Sequence, residues 1–187
     1  MEIQIPKPLD RNLYLANQVD QESINKLTKA IIQINESDSE IKKISTLYDF
    51  KYDPKPIKIY IDSYGGQVYQ CLGLLSIIEK SNTSIHTIVT GCAMSCGFLI
   101  SISGHRRFGY EKSTYLYHQV SGGARGTVKD MEDTVIEAKR LQKMIEEHTL
   151  ENTKISKDKL QSIYDMKHDW YIDSKQALKL GVIDEVL

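Results

Sequence analysis

The chain has 187 residues, which is enough for one domain with a sizeable core. Its formal charge of -1 at pH 7 argues against a nucleic-acid-binding surface, and its longest apolar region, around residues 88–102, is too short to span a bilayer. No signal-peptide pattern opens the sequence, and the three cysteines form neither a full set of pairs nor a metal motif. We therefore expect a cytoplasmic protein with no nucleic-acid partner, no membrane partner and no metal.

Segments of strand and helix type alternate from the start of the chain. Residues 13–15 predict a short strand, and a helix begins at Asp20, where apolar residues recur at helical spacing. Residues 36–56 are polar, contain two prolines near their end, and predict a loop or an inserted segment. Residues 57–61 alternate as a half-buried strand does, and this strand ends in a turn at 62–66.

The same alternation continues to the C-terminus. The remaining predicted segments are a helix through 68–78, a strand at 85–89, a helix to about Ser103, strands at 107–111 and 114–118, a glycine-rich break at 122–126, a long amphipathic helix at roughly 127–149, a short helix near 157–166, and a final helix from Asp173 to Gly181. The sequence thus predicts a single α/β domain over residues 1–187, built from successive ββα or βα units.

Residues 91–100 place Ser95 among small residues, between a strand-like run and a helix-like run. Small neighbours let a substrate backbone approach the hydroxyl, and the amides of a following helix favour negative charge. A nucleophilic serine needs this setting. Similar clusters of Ala, Gly and Ser also occur where a helix packs tightly on a sheet, so the stretch alone leaves both interpretations open.

Two side chains and a glycine pair are candidates for the rest of a catalytic site. His118 ends a predicted strand, where functional side chains project from an α/β core, although a histidine there can also simply bond to backbone. Asp169 precedes apolar residues in a non-helical junction, and it is either the partner of an imidazole or a surface acid. The pair Gly65-Gly66 can present a backbone N–H to an oxyanion, and no nucleotide-binding glycine pattern is present.

The chain resembles the ClpP family of caseinolytic proteases from about residue 11 to its end. Five segments carry the resemblance, in the family's order and spacing: residues 62–66, 91–97, 117–119, 122–126 and 169–184. The resemblance implies the ClpP/crotonase-type α/β fold of repeated ββα units. In that fold a compact head carries a handle, here at approximately 120–150, and the segment at approximately 36–56 is an inserted loop.

The resemblance also implies a serine endopeptidase that works through an acyl-enzyme. Ser95 matches the nucleophile, His118 the general base and Asp169 the acid that orients the base. The backbone N–H groups of Gly65 and Cys96 match the oxyanion hole. The glycine-rich segment matches the strand that binds extended substrate, and its substrate-binding residues are Gly122, Gly123 and Ala124.

Assembly and partners follow from the same resemblance. It implies a homo-oligomer, two stacked heptameric rings, which cleaves polypeptides inside a closed chamber. No cofactor is expected, because ATP would be used only by a possible AAA+ unfoldase partner. The short N-terminal segment and the inserted residues 36–56 weaken the expectation that an unfoldase docks. Two alternatives remain: a catalytically silent scaffold subunit of a mixed ring, and a crotonase-like acyl-CoA enzyme.

Overall fold

The structure is a computed structural model that describes residues 9–187. The expectation that no signal peptide opens the chain concerns the first residues, which lie outside this range. In chain order the elements are β1 (Asn12–Leu15), α1 (Gln21–Leu47), β2 (Ile57–Ser63), α2 (Val68–Glu79), β3 (Ile85–Met94), α3 (Cys96–Ile102), β4 (Arg106–Gly109), β5 (Thr114–Tyr117), α4 (Val128–Asn152), α5 (Lys157–Met166), β6 (Trp170–Asp173), α6 (Ser174–Lys179) and β7 (Glu185–Val186).

Within the described residues, seven strands form one sheet. Its main path, in the order β1-β2-β3-β4-β7, is parallel throughout, and β6 pairs with β5 in the antiparallel sense. The first half of β3 pairs with β4, while its last residues, from Cys92 to Met94, pair with β5. This change of partner places β5 beside the carboxyl end of β3, where functional sites of open α/β sheets lie.

The apolar pattern of the sequence builds the core. Ile57, Ile59 and Ile61 are fully buried on one face of β2, as the alternating pattern predicts. Apolar residues of α1, α2 and α3 join them in one cluster. Burial of this apolar surface is the main stabilising contribution to such a fold. The predicted α/β architecture is confirmed.

Helix α1 extends further than predicted, and the expectation of a loop from residue 36 is wrong in its first part. The helix runs without a break to Leu47, and only the residues between α1 and β2 form a loop. The inner face of the extension carries Asp38 and Ser45 beside Ile41, and all three are buried. Polar residues on a buried helix face interrupt the apolar periodicity, which is why the sequence pattern suggested a loop.

The glycine-rich segment also departs from the expectation. Residues 121–126 are exposed and form no strand in this structure, although the resemblance implies one there. An edge strand requires a hydrogen-bonding partner, and none of the described strands pairs with this segment. Two of its glycines, Gly122 and Gly123, have no atom within 4 Å of the position where a Cβ would lie.

Helix α4 has two different halves. A reciprocal capping box between Thr127 and Asp130 starts the helix. In the second half, Leu141 and Ile145 are buried against the rest of the molecule. In the first half the apolar side chains face outward, with exposed fractions of 74% for Val128, 42% for Met131, 48% for Val135 and 63% for Ile136.

Candidate active site

Ser95 occupies a sharp turn between β3 and α3. Its φ is 54° and its ψ is -120°, a left-handed conformation that costs a non-glycine residue about 1–3 kcal/mol. Its N–H donates to the carbonyl oxygen of Leu116 in β5 at 2.9 Å, and its hydroxyl makes no capping bond to the amides of α3. The surrounding backbone therefore fixes the residue while leaving its hydroxyl available.

His118 reaches the same place from the neighbouring strand. It follows the last residue of β5, two positions after the Leu116 carbonyl that accepts the Ser95 N–H. His118 is half-buried and lines two cavities together with Ser95: a small one of about 50 Å³ and a larger cleft of about 660 Å³. The structure thus brings the predicted nucleophile and base to one cleft, although no hydrogen bond joins their side chains in this single chain.

The register between β5 and β6 fixes the position of Asp169 relative to His118. Tyr117 of β5 pairs with Trp170 of β6, so the next position of this antiparallel register places Asp169 opposite His118. Its carboxylate is exposed, makes no recorded hydrogen bond to His118 and lines neither cavity that contains Ser95. The backbone places the predicted acid next to the base, but the contact between the two side chains is not formed.

The glycine pair closes over Ser95 from β2. A Cβ at Gly65 would lie 2.7 Å from the Ser95 Cβ and 3.0 Å from the Cys96 nitrogen, so only glycine permits this approach. The Gly65 N–H, however, donates to the Ser63 hydroxyl at 3.2 Å. In this structure the predicted oxyanion donor is already occupied.

Gly66 is a candidate that the sequence analysis missed. The Gly65 carbonyl and the Gln67 N–H both bond to Val19, so the peptide groups of Gly66 itself face the other way, toward Ser95 and Cys96. The Gly66 carbonyl lies 3.3 Å from the Cys96 sulfur, which confirms that direction. The signal was present in the sequence, since a pair of glycines offers two N–H groups, but only the bridge to Val19 distinguishes between them.

Cys96 begins α3, directly after the serine. The N–H groups of a helix's first turn have no acceptor within the helix, so the Cys96 amide is available to a ligand. Its side chain is buried, with 2% of its surface exposed, and lines the smaller cavity.

The glycine-rich residues lie next to the cleft rather than in it. Gly122, Gly123 and Ala124 line a cavity of about 710 Å³ together with side chains of α4 and Tyr69. Ser121 lines this cavity and both cavities that contain Ser95. An extended chain in the glycine-rich cavity would therefore have a continuous path to the serine.

This parallel α/β sheet carries a serine on a strand-to-helix turn and a histidine at the end of the adjacent strand, and its fold is of the ClpP type. A family model described as Clp protease matches residues 8–187. The chain belongs to the Clp protease family. No helix among the described residues is long and apolar enough to cross a membrane.

Several curated relatives are similar over most of the chain. The ATP-dependent Clp protease proteolytic subunit of Bacteroides fragilis is 29% identical over 181 residues, covering 96% of this chain and 80% of the relative. The protein of the same name from Bacteroides thetaiotaomicron is 29% identical over 181 residues, with 96% and 75% covered. The ATP-dependent Clp protease proteolytic subunit 2 of Treponema pallidum is 32% identical over 135 residues, with 71% and 67% covered.

Proposed function

We propose that the chain is a serine endopeptidase that cleaves polypeptides through an acyl-enzyme. The observation that carries this proposal is the shared cleft, which Ser95, His118 and the glycine pair line together. The Ser95 hydroxyl makes no hydrogen bond to the amides of α3. Names of the curated relatives, which are proteolytic subunits, support the same reaction class.

The mechanism assigns one role to each group. His118 accepts the Ser95 proton as the hydroxyl attacks the substrate carbonyl, and later donates it to the leaving amine. The Cys96 N–H and the Gly66 N–H hold the oxyanion, with Gly65 required for the close approach of the two backbones. Water then attacks the acyl-enzyme with His118 again as base. These groups and water account for every step of the proposed reaction, which therefore uses neither a metal nor a cofactor.

Asp169 orients His118 once its carboxylate turns toward the imidazole. Hydrogen bonds between catalytic side chains are often long or poorly aligned before substrate binds and shorten in the complex. The pairing of Tyr117 with Trp170 supports this role, because its continuation by one position places Asp169 opposite His118.

The proposal includes assembly into stacked rings. The exposed apolar side chains of α4 require a covering surface, and a facing handle from a second ring would supply it. The chamber so formed would restrict cleavage to unfolded chains, which the glycine-rich segment would bind as an added strand. An ATP-dependent unfoldase is the expected partner, since the relatives are named as subunits of ATP-dependent proteases.

A fluorophosphonate probe tests the central assignment. We expect covalent labelling of Ser95 in the wild-type protein and its loss in Ser95→Ala, which also loses peptide hydrolysis. Cys96 is the rival nucleophile because it is adjacent, and Cys96→Ala should keep most activity since only its backbone N–H is used. Ser95→Ala that stays active and is then stopped by iodoacetamide would falsify the proposal.

A further inference from the structure

Two cysteines lie against each other directly behind the serine. Cys71 of α2 is fully buried, and its thiol contacts the carbonyl oxygen of Cys96 at 3.5 Å. The Cys96 sulfur is 3.3 Å from the Gly66 carbonyl oxygen, on the other side. The proposed mechanism uses neither thiol.

The pKa values of the three cysteines are shifted in different directions. Contact with Cys71 lowers the pKa of Cys96 although burial opposes the shift, whereas the same contact and burial both raise the pKa of Cys71. Burial and the nearby Asp62 carboxylate raise the pKa of Cys92 to about 11. Because the thiolate is the form that reacts with oxidants, and because only Cys96 of the three lines the cavity beside Ser95, we take Cys96 as the first site of oxidation.

The small cavity beside Ser95 offers an oxidant a route to Cys96 and none to Cys71. Cys96 lines the cavity of about 50 Å³ that it shares with Ser95 and His118, whereas Cys71 does not line it. A water molecule needs a cavity of roughly 10–15 Å³, so this cavity has room for hydrogen peroxide. Cys71 is then placed behind Cys96, where a second thiol can react with its oxidised product.

We propose that Cys71 and Cys96 form a peroxide-responsive pair that closes to a reversible disulfide behind Ser95. The Cys96 thiolate attacks one oxygen of hydrogen peroxide, so that an S–O bond forms, the O–O bond breaks and hydroxide leaves. Cys96 is now a sulfenic acid. The Cys71 thiol loses its proton and attacks the Cys96 sulfur, the S–S bond forms, and the oxygen leaves as water. In total, two thiols and one peroxide give one disulfide and two waters.

The disulfide would act on the catalytic turn. Its sulfurs are about 2.05 Å apart, much closer than two thiols in contact, so its formation draws the Cys96 side chain toward α2 and away from Gly66. The Cys96 amide and the strained Ser95 belong to the same turn and move with it. This consequence rests on the proposed function, whereas the disulfide itself does not. We expect peptide hydrolysis to fall several-fold and to return when a dithiol reductant is added.

Thiol mapping tests the pair without reference to activity. The purified full chain is treated with hydrogen peroxide, denatured in acid and labelled with N-ethylmaleimide. The reduced protein should take three labels and the oxidised protein one, on Cys92. Trypsin leaves Cys92 and Cys96 on one peptide, because no Lys or Arg lies between residues 81 and 105. Fragment ions that break the backbone between these two cysteines therefore locate the cross-link to Cys71.

Two matched variants complete the test. Cys71→Ala should keep its basal activity and give no cross-linked peptide after peroxide treatment. Cys92→Ala should respond to peroxide as the wild type does. Three labels after peroxide treatment, or a cross-link to Cys92, would overturn the proposal. If the disulfide forms but the reduced protein never hydrolyses peptides, the proposed function fails while the thiol pair stands.

Discussion

At the scale of single residues, the backbone rather than side-chain contact places the candidate catalytic groups. Ser95 is tied through its N–H to β5, and His118 follows that strand by one position. Asp169 faces His118 only through the register of β5 and β6, and its carboxylate is exposed. Because the acid acts on the rate only through the base, we expect His118 to contribute more to kcat than Asp169 does.

Substitutions at His118 and Asp169 should show this inequality. His118→Ala removes the base that acts with Ser95 as a unit, so we expect kcat to fall by about 10⁴-fold. Asp169→Ala should cost less, roughly 10²-fold, because the acid acts only through the imidazole, which keeps its own backbone position. His105→Gln, at the opposite end of β3, is the control and should leave kcat unchanged. Equal losses at both sites would show that Asp169 is already engaged in the free enzyme.

The candidate groups differ in how directly the sequence indicates them. Ser95, His118 and Asp169 stand at element boundaries, which hydrophobic periodicity and small residues indicate in the sequence. Gly66 was missed because its role depends on a bridge to Val19, which lies far from it along the chain. Long-range pairing decides the direction of a peptide group, and no local pattern records it.

At the scale of elements, the C-terminal extension of α1 carries a buried carboxylate, Asp38, that is hydrogen-bonded to three other segments. Asp38 is hydrogen-bonded to Arg11, to the Tyr52 hydroxyl and to the Thr83 hydroxyl, and together these connect α1, the loop before β2 and the turn before β3. Although burial opposes ionisation, these bonds hold the Asp38 pKa below its ordinary value. The hydrogen-bonded Asp38 carboxylate thus occupies a position where the helical spacing of apolar residues predicts an apolar side chain.

Asp38→Asn tests this account of α1. The neutral amide removes the charge that faces Arg11 and two of its hydrogen bonds to donors, so we expect a loss of about 2 kcal/mol in the free energy of unfolding. Urea unfolding followed by circular dichroism measures it. Glu40→Gln removes a charge from an exposed position of the same helix and should change little. If both variants unfold at the same urea concentration, the network does not stabilise the extension.

His148 connects the base of α4 to the helix that follows Ser95. Its Nε2 lies 2.9 Å from the Ser103 hydroxyl, which itself donates to the Leu99 carbonyl. Burial lowers the His148 pKa below its ordinary 6.5, while the Leu99 carbonyl and the carboxylates of Glu151 and Glu79 oppose that shift. The neutral imidazole is therefore the form that the fold prefers.

The sign of this shift gives a pH dependence of stability. Because the unfolded chain binds the proton more readily, the contribution of His148 is fully present above pH 6.5 and is lost as the pH falls below that value toward the folded pKa. His148→Gln should therefore unfold with a flatter dependence of Tm on pH between about 7 and 5. The control His168→Gln removes an exposed imidazole whose ring makes no hydrogen bond to any described residue, and it should keep the wild-type slope. A wild-type slope in His148→Gln would contradict this role.

At the scale of the whole molecule, a single chain leaves the apolar side chains in the first half of α4 exposed to solvent. Four large apolar side chains there are exposed, whereas Leu141 and Ile145 of the second half are buried. The glycine-rich segment beside it has no strand partner among the described strands. Both features have one explanation if a second copy of the chain covers them, because neighbouring subunits supply apolar surface and strand edges together.

Val135→Lys tests whether α4 joins two subunits. A lysine at this half-exposed position places a strongly hydrated charge in the contact, and an unpaired buried charge opposes association. Sedimentation velocity should show the wild type as a large assembly and the variant shifted to single rings or smaller species, with circular dichroism unchanged. Leu47→Lys makes the same chemical change at a 76% exposed residue at the end of α1 and should leave the assembly intact. A monomeric wild type would reject assembly itself, and a wild-type distribution in Val135→Lys would place the contact elsewhere than on α4.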